Sequence, residues 1–198
     1  MRQVSTTLDR YLIDLKEGKH HFENVFQSLA RMIFSYKDNI KQIIVNGKNT
    51  YDFLIFRGGK KHIIGLYDVI NSFVAFIKDA AERGESKEMA FVLVGEPGNG
   101  KTFFVDYLST MYRDFVSIAE NVKYTFKFNI PDGLTGYGGI KDIESQSYED
   151  PVILQMNLYD SPELSKEEFA KLGFDDATLA DYYENYRSLG ADTEFILN

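Results

Sequence analysis

The order of patterns along the chain predicts an α/β fold: a mainly parallel sheet flanked by helices, preceded by an N-terminal helical segment. Three observations predict it. Leu66, Val69, Ile70, Phe73, Val74 and Ile77 repeat at helical spacing. Residues 90–94, Ala-Phe-Val-Leu-Val, form the continuous apolar run expected of a strand buried on both faces. A glycine-rich turn then leads into another helical period, with Val105, Leu108 and Met111 or Tyr112 on one face. One parallel pair is too few strands for a whole sheet, so the expected division is a helical segment over 1–61 and an α/β domain over 62–198, truncated at its C-terminal end.

The remaining elements follow in order. Leu8, Tyr11, Leu12 and Leu15 fall at i, i+3, i+4 and i+7 behind the capping candidates Ser5-Thr6-Thr7, which predicts a short helix. Phe22, Val25, Phe26, Leu29, Ile33 and Tyr36 predict a second. Residues 46–61 are broken by Gly47, Gly58 and Gly59 and read as turns around a short extended piece. The long helix starting near Leu66 is expected to end around Gly84. Val122, Tyr124, Phe126 and Phe128 alternate with Lys123, Thr125 and Lys127, as in a half-buried strand. Residues 129–150 read as a long loop, and two acidic helical segments are expected near 162–172 and 176–188.

Composition narrows the function. The 198 residues hold 22 Lys+Arg against 30 Asp+Glu, a net charge of −8, and no Cys. The absence of Cys excludes a disulfide scaffold, a thiolate–metal site and a cysteine nucleophile. No apolar run approaches the ~20 residues that span a bilayer, and charges run through residues 1–16, unlike a signal peptide. A cytoplasmic protein without membrane attachment is expected. Residues 142–198 carry 3 basic and 14 acidic side chains; such an acidic stretch repels phosphate backbones, so nucleic-acid binding is not indicated.

One motif carries chemistry. Gly95-Glu96-Pro97-Gly98-Asn99-Gly100-Lys101-Thr102 fits G-x-x-x-x-G-K-[ST], the phosphate-binding P-loop. The turn must wrap a phosphate closely, so glycines at 95, 98 and 100 keep Cβ atoms out and leave backbone N–H groups free to converge. Those groups open the next helix, where unpaired donors and the helix dipole favour an anion. Lys101 reaches the β- and γ-phosphates, and the Thr102 hydroxyl is placed to ligate Mg²⁺. The candidate nucleotide contacts are therefore residues 95–102 and the adjacent Phe103, with ATP and Mg²⁺ as cofactors and Thr102 as the metal ligand. The bland alternative is a glycine turn followed by a solvated lysine.

Other candidates carry less. His20, His21 and His62 suit surface or core positions better than ligand roles. Asp175-Asp176 suit a helix cap better than a metal pair, and Lys60-Lys61 a solvated turn. The phenylalanines and tyrosines suit a core better than a base-stacking platform. A hydrolytic P-loop also needs an acid closing a second buried strand. The run 152–160 ends in Asp160, the one candidate for that catalytic role, but Gln155 and Asn157 interrupt it. A loop or helix start capped by Asp160 or Ser161 explains it better.

The spelling of the loop is similar to that of AAA+ ATPases, as is His62-Ile63-Ile64-Gly65-Leu66 leading into a helix upstream. More specifically, residues 20–155 resemble the N-terminal AAA+ domain of PrkA-type bacterial serine protein kinases. The likeness rests on the early helix from His21-Phe22-Glu23-Asn24-Val25-Phe26, on Ile64-Gly65-Leu66-Tyr67-Asp68, on the helix after it running into 90–94, on Tyr124-Thr125-Phe126-Lys127, and on Tyr148-Glu149-Asp150-Pro151. The resemblance implies Mg·ATP binding, an Ile64-Gly65 contact with the adenine, a protein substrate or partner and assembly into a homo-oligomeric ring. It also implies that the acid of the second strand lies beyond Asn198, and it leaves the catalytic residues unknown. Departures are an insert over 132–146 and the absence of H-R-D, D-F-G and V-A-I-K kinase motifs. The function expected is thus the ATP-binding part of a PrkA-like serine protein kinase. The alternatives are a self-contained small P-loop phosphotransferase using Asp160 and a nucleotide-gated interaction module presenting the acidic helices.

Overall fold

The computed structural model describes residues 5–35, 40–57, 63–130, 142–158 and 162–188. The chain divides into two compact units, Glu23–Ile118, and Met1–Phe22 together with Ala119–Asn198. Among the described residues the fold is mostly helical, and its strands form two antiparallel two-stranded sheets. The expected α/β P-loop fold with a parallel sheet is therefore corrected: both strand pairs among the described residues run antiparallel.

In the unit Glu23–Ile118, the first helix, α2, spans Val25–Phe34. It starts in a capping box: the Asn24 side chain accepts from the Gln27 N–H at 3.0 Å and the Gln27 side chain accepts from the Asn24 N–H at 3.1 Å. The helix period read from the sequence holds, although Phe22 precedes the cap and Tyr36 lies outside the described residues. β1 (Ile40–Val45) and β2 (Lys48–Phe53) then form a hairpin around Asn46-Gly47. Both turn residues are left-handed, with φ +52° and +76°, the twist that a two-residue hairpin requires. This replaces the expected turns around a single extended piece. A 3-10 turn at Leu54–Phe56 leads on towards α3 (Tyr67–Ala81), and α4 spans Lys101–Val116.

The core of this unit gathers Met32, Ile33, Phe56, Ile63, Ile70, Phe73, Val74, Ile77 and Phe104. α4 presents Phe104, Tyr107 and Phe115 inward, while Val105 is 51% exposed. Leu108, Met111 and Tyr112 of the expected stripe do pack against this core, so the correction is confined to Val105, whose place is taken by the larger Phe104 ring. Phe104 stacks on Phe56 at 6.0 Å and meets Phe73 edge-on at 5.3 Å.

Residues 90–94 have no regular secondary structure and join no ladder among the described residues. Phe91 packs on Phe73 and Phe76, and Leu93 touches the core, whereas Val92 is 71% and Val94 91% exposed. The expected strand buried on both faces is corrected to a segment buried on one. Burial on both sides needs a layer above and below, and here the core lies on one side only.

In the second unit, α1 (Leu8–Lys16) is capped by Thr7, whose side chain accepts from the Arg10 N–H at 3.3 Å. β3 (Lys127–Asn129) pairs antiparallel with β4 (Asp142–Glu144). The predicted alternation holds in burial only as far as Phe126: Val122, Tyr124 and Phe126 are half-buried and Lys123 and Thr125 exposed, but Phe128 is exposed like its neighbours and the ladder begins only at Lys127. Residues 131–141 of the expected loop lie outside the described residues.

α5 (Pro151–Asn157), α6 (Pro162–Lys171) and α7 (Asp176–Ser188) complete this unit. The two acidic helices fall where the sequence places them. The run 152–156, a candidate second strand, is instead helical: Asp150 caps it by accepting the Val152 N–H at 2.9 Å, and Pro151 occupies its first turn. Val152, Ile153 and Met156 join Tyr11, Leu12, Leu15, Phe22, Phe169, Phe174 and Leu179 in the core.

Candidate functional site

The loop 95–102 is an exposed turn closed on itself. The Asn99 N–H donates to the Glu96 carbonyl at 3.3 Å, and α4 begins at Lys101. Gly98 and Gly100 hold φ +87° and +76°, and a Cβ at either would meet nothing within 4 Å. Glycine is thus required here by the left-handed backbone, a second reason beside the closeness of a phosphate. Gly100 is the N-cap of α4 and offers no side-chain cap, so no side chain of the cap residue competes for the first-turn amides.

Lys101 folds back over this turn. Its ammonium donates to the carbonyls of Gly95 and Glu96, both at 2.7 Å. The positive charge is therefore held against two carbonyls at the start of the loop. Thr102 is exposed on the first turn, and Phe103 is 38% exposed with its ring tilted against Tyr107 at 6.1 Å. Backbone amides, one ammonium and one hydroxyl are the donor set that a Mg²⁺-bound triphosphate takes, so the residues present fit that group. Were such a group bound, Thr102 would be the residue to ligate its metal, and Lys101 would exchange its carbonyl partners for phosphate oxygens.

The second predicted segment is a strained, exposed tip. Gly65 and Leu66 are both left-handed, with φ +70° and +54°, and Leu66 is the N-cap of α3. Ile63 is buried, but Ile64 is 81% and Leu66 41% exposed. The tip is held by Arg57, whose guanidinium donates to the carbonyl of Ile63 and, at 3.2 Å, to that of Gly65. Arg57 in turn pairs with Asp52 at 2.8 Å and lies over the Tyr67 ring, 4.5 Å from its centre. Nothing in the sequence singled out Arg57, because its partners are carbonyls brought near by the fold.

Both segments are anchored in one core. Phe56, next to Arg57 in the chain, stacks on Phe104, and the Tyr107 hydroxyl donates to the Ile55 carbonyl at 2.9 Å. The first turns of α4 and the turn carrying Arg57 are therefore packed directly on each other.

The remaining candidates separate cleanly. Asp160, His62 and Lys60-Lys61 lie outside the described residues. Asp175 caps α7, accepting the Thr178 N–H at 2.7 Å, and that bond holds its carboxyl below the usual range. His20 stacks on Tyr11 at 5.5 Å and meets Tyr124 at 4.7 Å, a packing role. Among the described residues no group of three His, Asp or Glu side chains could hold a metal ion, and no helix is long and apolar enough to cross a membrane. A cleft lined by Arg83, Gly84, Glu85, Lys87, Glu88 and Met89 includes none of the loop residues in its lining. Comparison of the chain with protein-family models, with curated proteins and with solved structures found no match.

Proposed function

We propose that this chain binds Mg·ATP through residues 95–102, as the ATP-binding part of a PrkA-like serine protein kinase. The observation that carries the reading is the Lys101 ammonium held at 2.7 Å from both loop carbonyls, at the start of a helix whose N-cap has no side-chain acceptor. A lysine parked among carbonyls is poised to trade them for phosphate oxygens, which are stronger acceptors. The α4 dipole adds to the same attraction. The resemblance to PrkA-type kinases is what supports ATP as the nucleotide. It likewise supports a protein substrate, ring assembly of identical subunits and a cytoplasmic setting.

The reading is tested by titrating the chain with Mg·ATP while following thermal unfolding. At ~100-fold excess over Kd, binding adds ~2.7 kcal/mol of stability. Lys101→Ala should weaken affinity by about tenfold or more, the scale of a charge-assisted contact. No thermal shift in the wild type, or an equal shift in the variant, overturns the assignment.

A further inference from the structure

We propose that Asn99 is a site of spontaneous deamidation, and that its conversion to a carboxylate lowers the affinity of the loop for phosphate. The effect on the ligand rests on the nucleotide reading of residues 95–102; the modification itself does not. The chain holds two Asn-Gly pairs, Asn46-Gly47 and Asn99-Gly100. A glycine after asparagine leaves its backbone nitrogen uncrowded by a Cβ. In the reaction that nitrogen gives its proton to hydroxide and attacks the asparagine Cγ. The Cγ–Nδ2 bond breaks and ammonia leaves with a proton from water. A second water opens the resulting cyclic imide to an aspartyl or isoaspartyl residue, so water is the only co-reactant.

The structure separates the two pairs. Asn46 stands at φ +52° in the turn of the β1–β2 hairpin, where Val45 and Lys48 on either side of it are paired. Swinging the Gly47 nitrogen onto the side chain would open that end of the ladder. Asn99 is exposed in a bend, outside any ladder among the described residues. It lies between Gly98 and Gly100, and a Cβ at either would meet nothing within 4 Å. Neither the Asn99 side-chain amide nor the Gly100 N–H has a hydrogen-bond partner among the described residues. Nucleophile and electrophile are both unengaged there.

The surroundings of the amide set the consequence. The point where a Cβ on Gly95 would stand is 3.8 Å from the Asn99 Nδ2 and 3.9 Å from the Lys101 Nζ. A carboxylate in place of that amide would attract the ammonium and repel an incoming phosphate. The isoaspartyl product also adds a methylene to the main chain just before Gly100, the N-cap of α4, and so displaces the amides that open the helix.

The test ages the full chain at mildly alkaline pH, follows residues 46 and 99 by peptide mass spectrometry, and titrates samples with Mg·ATP. Acid at 99 should accumulate faster than at 46, and faster as pH rises. Mg·ATP affinity of the wild type should fall in step. Asn99→Gln, whose longer side chain cyclises far more slowly, should keep its own starting affinity. Unaged Asn99→Asp should bind Mg·ATP about fivefold more weakly than wild type, the scale of one like charge at ~4 Å in water. No acid at 99, or acid at 46 first, overturns the modification site. Acid at 99 with unchanged affinity, or wild-type affinity in Asn99→Asp, overturns its effect on the ligand. Unaged wild type that binds no Mg·ATP removes the nucleotide reading and that effect with it, while the mass readout still decides the modification.

Discussion

The Tyr11 hydroxyl on α1 donates to both carboxylate oxygens of Asp150, each at 3.0 Å. Asp150 at the same time accepts the Val152 N–H at the start of α5. One carboxylate thus ties two helices that are far apart in sequence. Burial pushes its pKa up to about 6, against the pull of the Val152 and Tyr11 hydrogen bonds and of the Lys123 charge. Burial also raises the Tyr11 hydroxyl and lowers His20, whose ring stacks on Tyr11.

Asp150 takes its proton more readily folded than unfolded, so its contribution is fully present below pH 3.8 and lost as pH rises through about 6. Its upper bound is about 3 kcal/mol. His20 acts oppositely, since its neutral form is favoured in the fold and acidification charges it. The difference between wild type and Asp150→Asn isolates the carboxylate. Relative to the variant, wild type should gain stability as pH falls from 7.5 to 4.5 in urea unfolding monitored at the tyrosines. Parallel profiles for the two proteins would refute this.

Gly100→Ala should destabilise the unit Glu23–Ile118 by about 1 kcal/mol, the cost of a left-handed alanine. Space is not the obstacle, because a Cβ there meets nothing within 4 Å. The same change should weaken nucleotide, since the residue sets the direction of the first α4 amides. Thermal unfolding and an ATP titration check both effects. Wild-type values in both would mean that the turn tolerates another backbone.

Phe104→Ala should cost about 3–5 kcal/mol, as for a large aromatic removed from a core, whereas Val105→Ala should stay within about 0.5 kcal/mol. Phe104 is 2% exposed and Val105 51%. Denaturant midpoints of the two variants test which face of α4 is buried, and the reverse ranking would restore the Val105 stripe.

Asp175→Ala should destabilise α7 by removing the acceptor of the Thr178 N–H, and Asp175→Asn, which keeps an acceptor, should change little. Neither should alter ATP affinity. Because its carboxyl is held below the usual range, its contribution is present above pH 3.8 and fades on acidification through the lower folded value. Loss of nucleotide binding in Asp175→Asn would contradict the site at residues 95–102.

Much of the helical content was legible because amphipathic spacing is a local signal. Leu8 to Leu15, the stripe through Ile77, and the acidic segments all became helices near the expected bounds. Two local signals were legible and passed over. Asn46-Gly47 between apolar segments marks a hairpin, and Asp150-Pro151 marks a helix start. The run 152–156 left a strand and a helix both open, because a short helix buried all round has no periodicity to distinguish it from a buried strand.

The amino-acid order alone determined the left-handed glycines of the loop, the lysine that follows them and the caps at Thr7, Asn24 and Asp175, since each depends on neighbours a few residues away. Only the tertiary structure decided that residues 90–94 bury one face, that α4 turns Phe104 rather than Val105 inward, and that Arg57 meets the carbonyls of Ile63 and Gly65. Those outcomes depend on which surfaces are brought together, and no short-range pattern encodes the arrival of a partner from elsewhere in the chain.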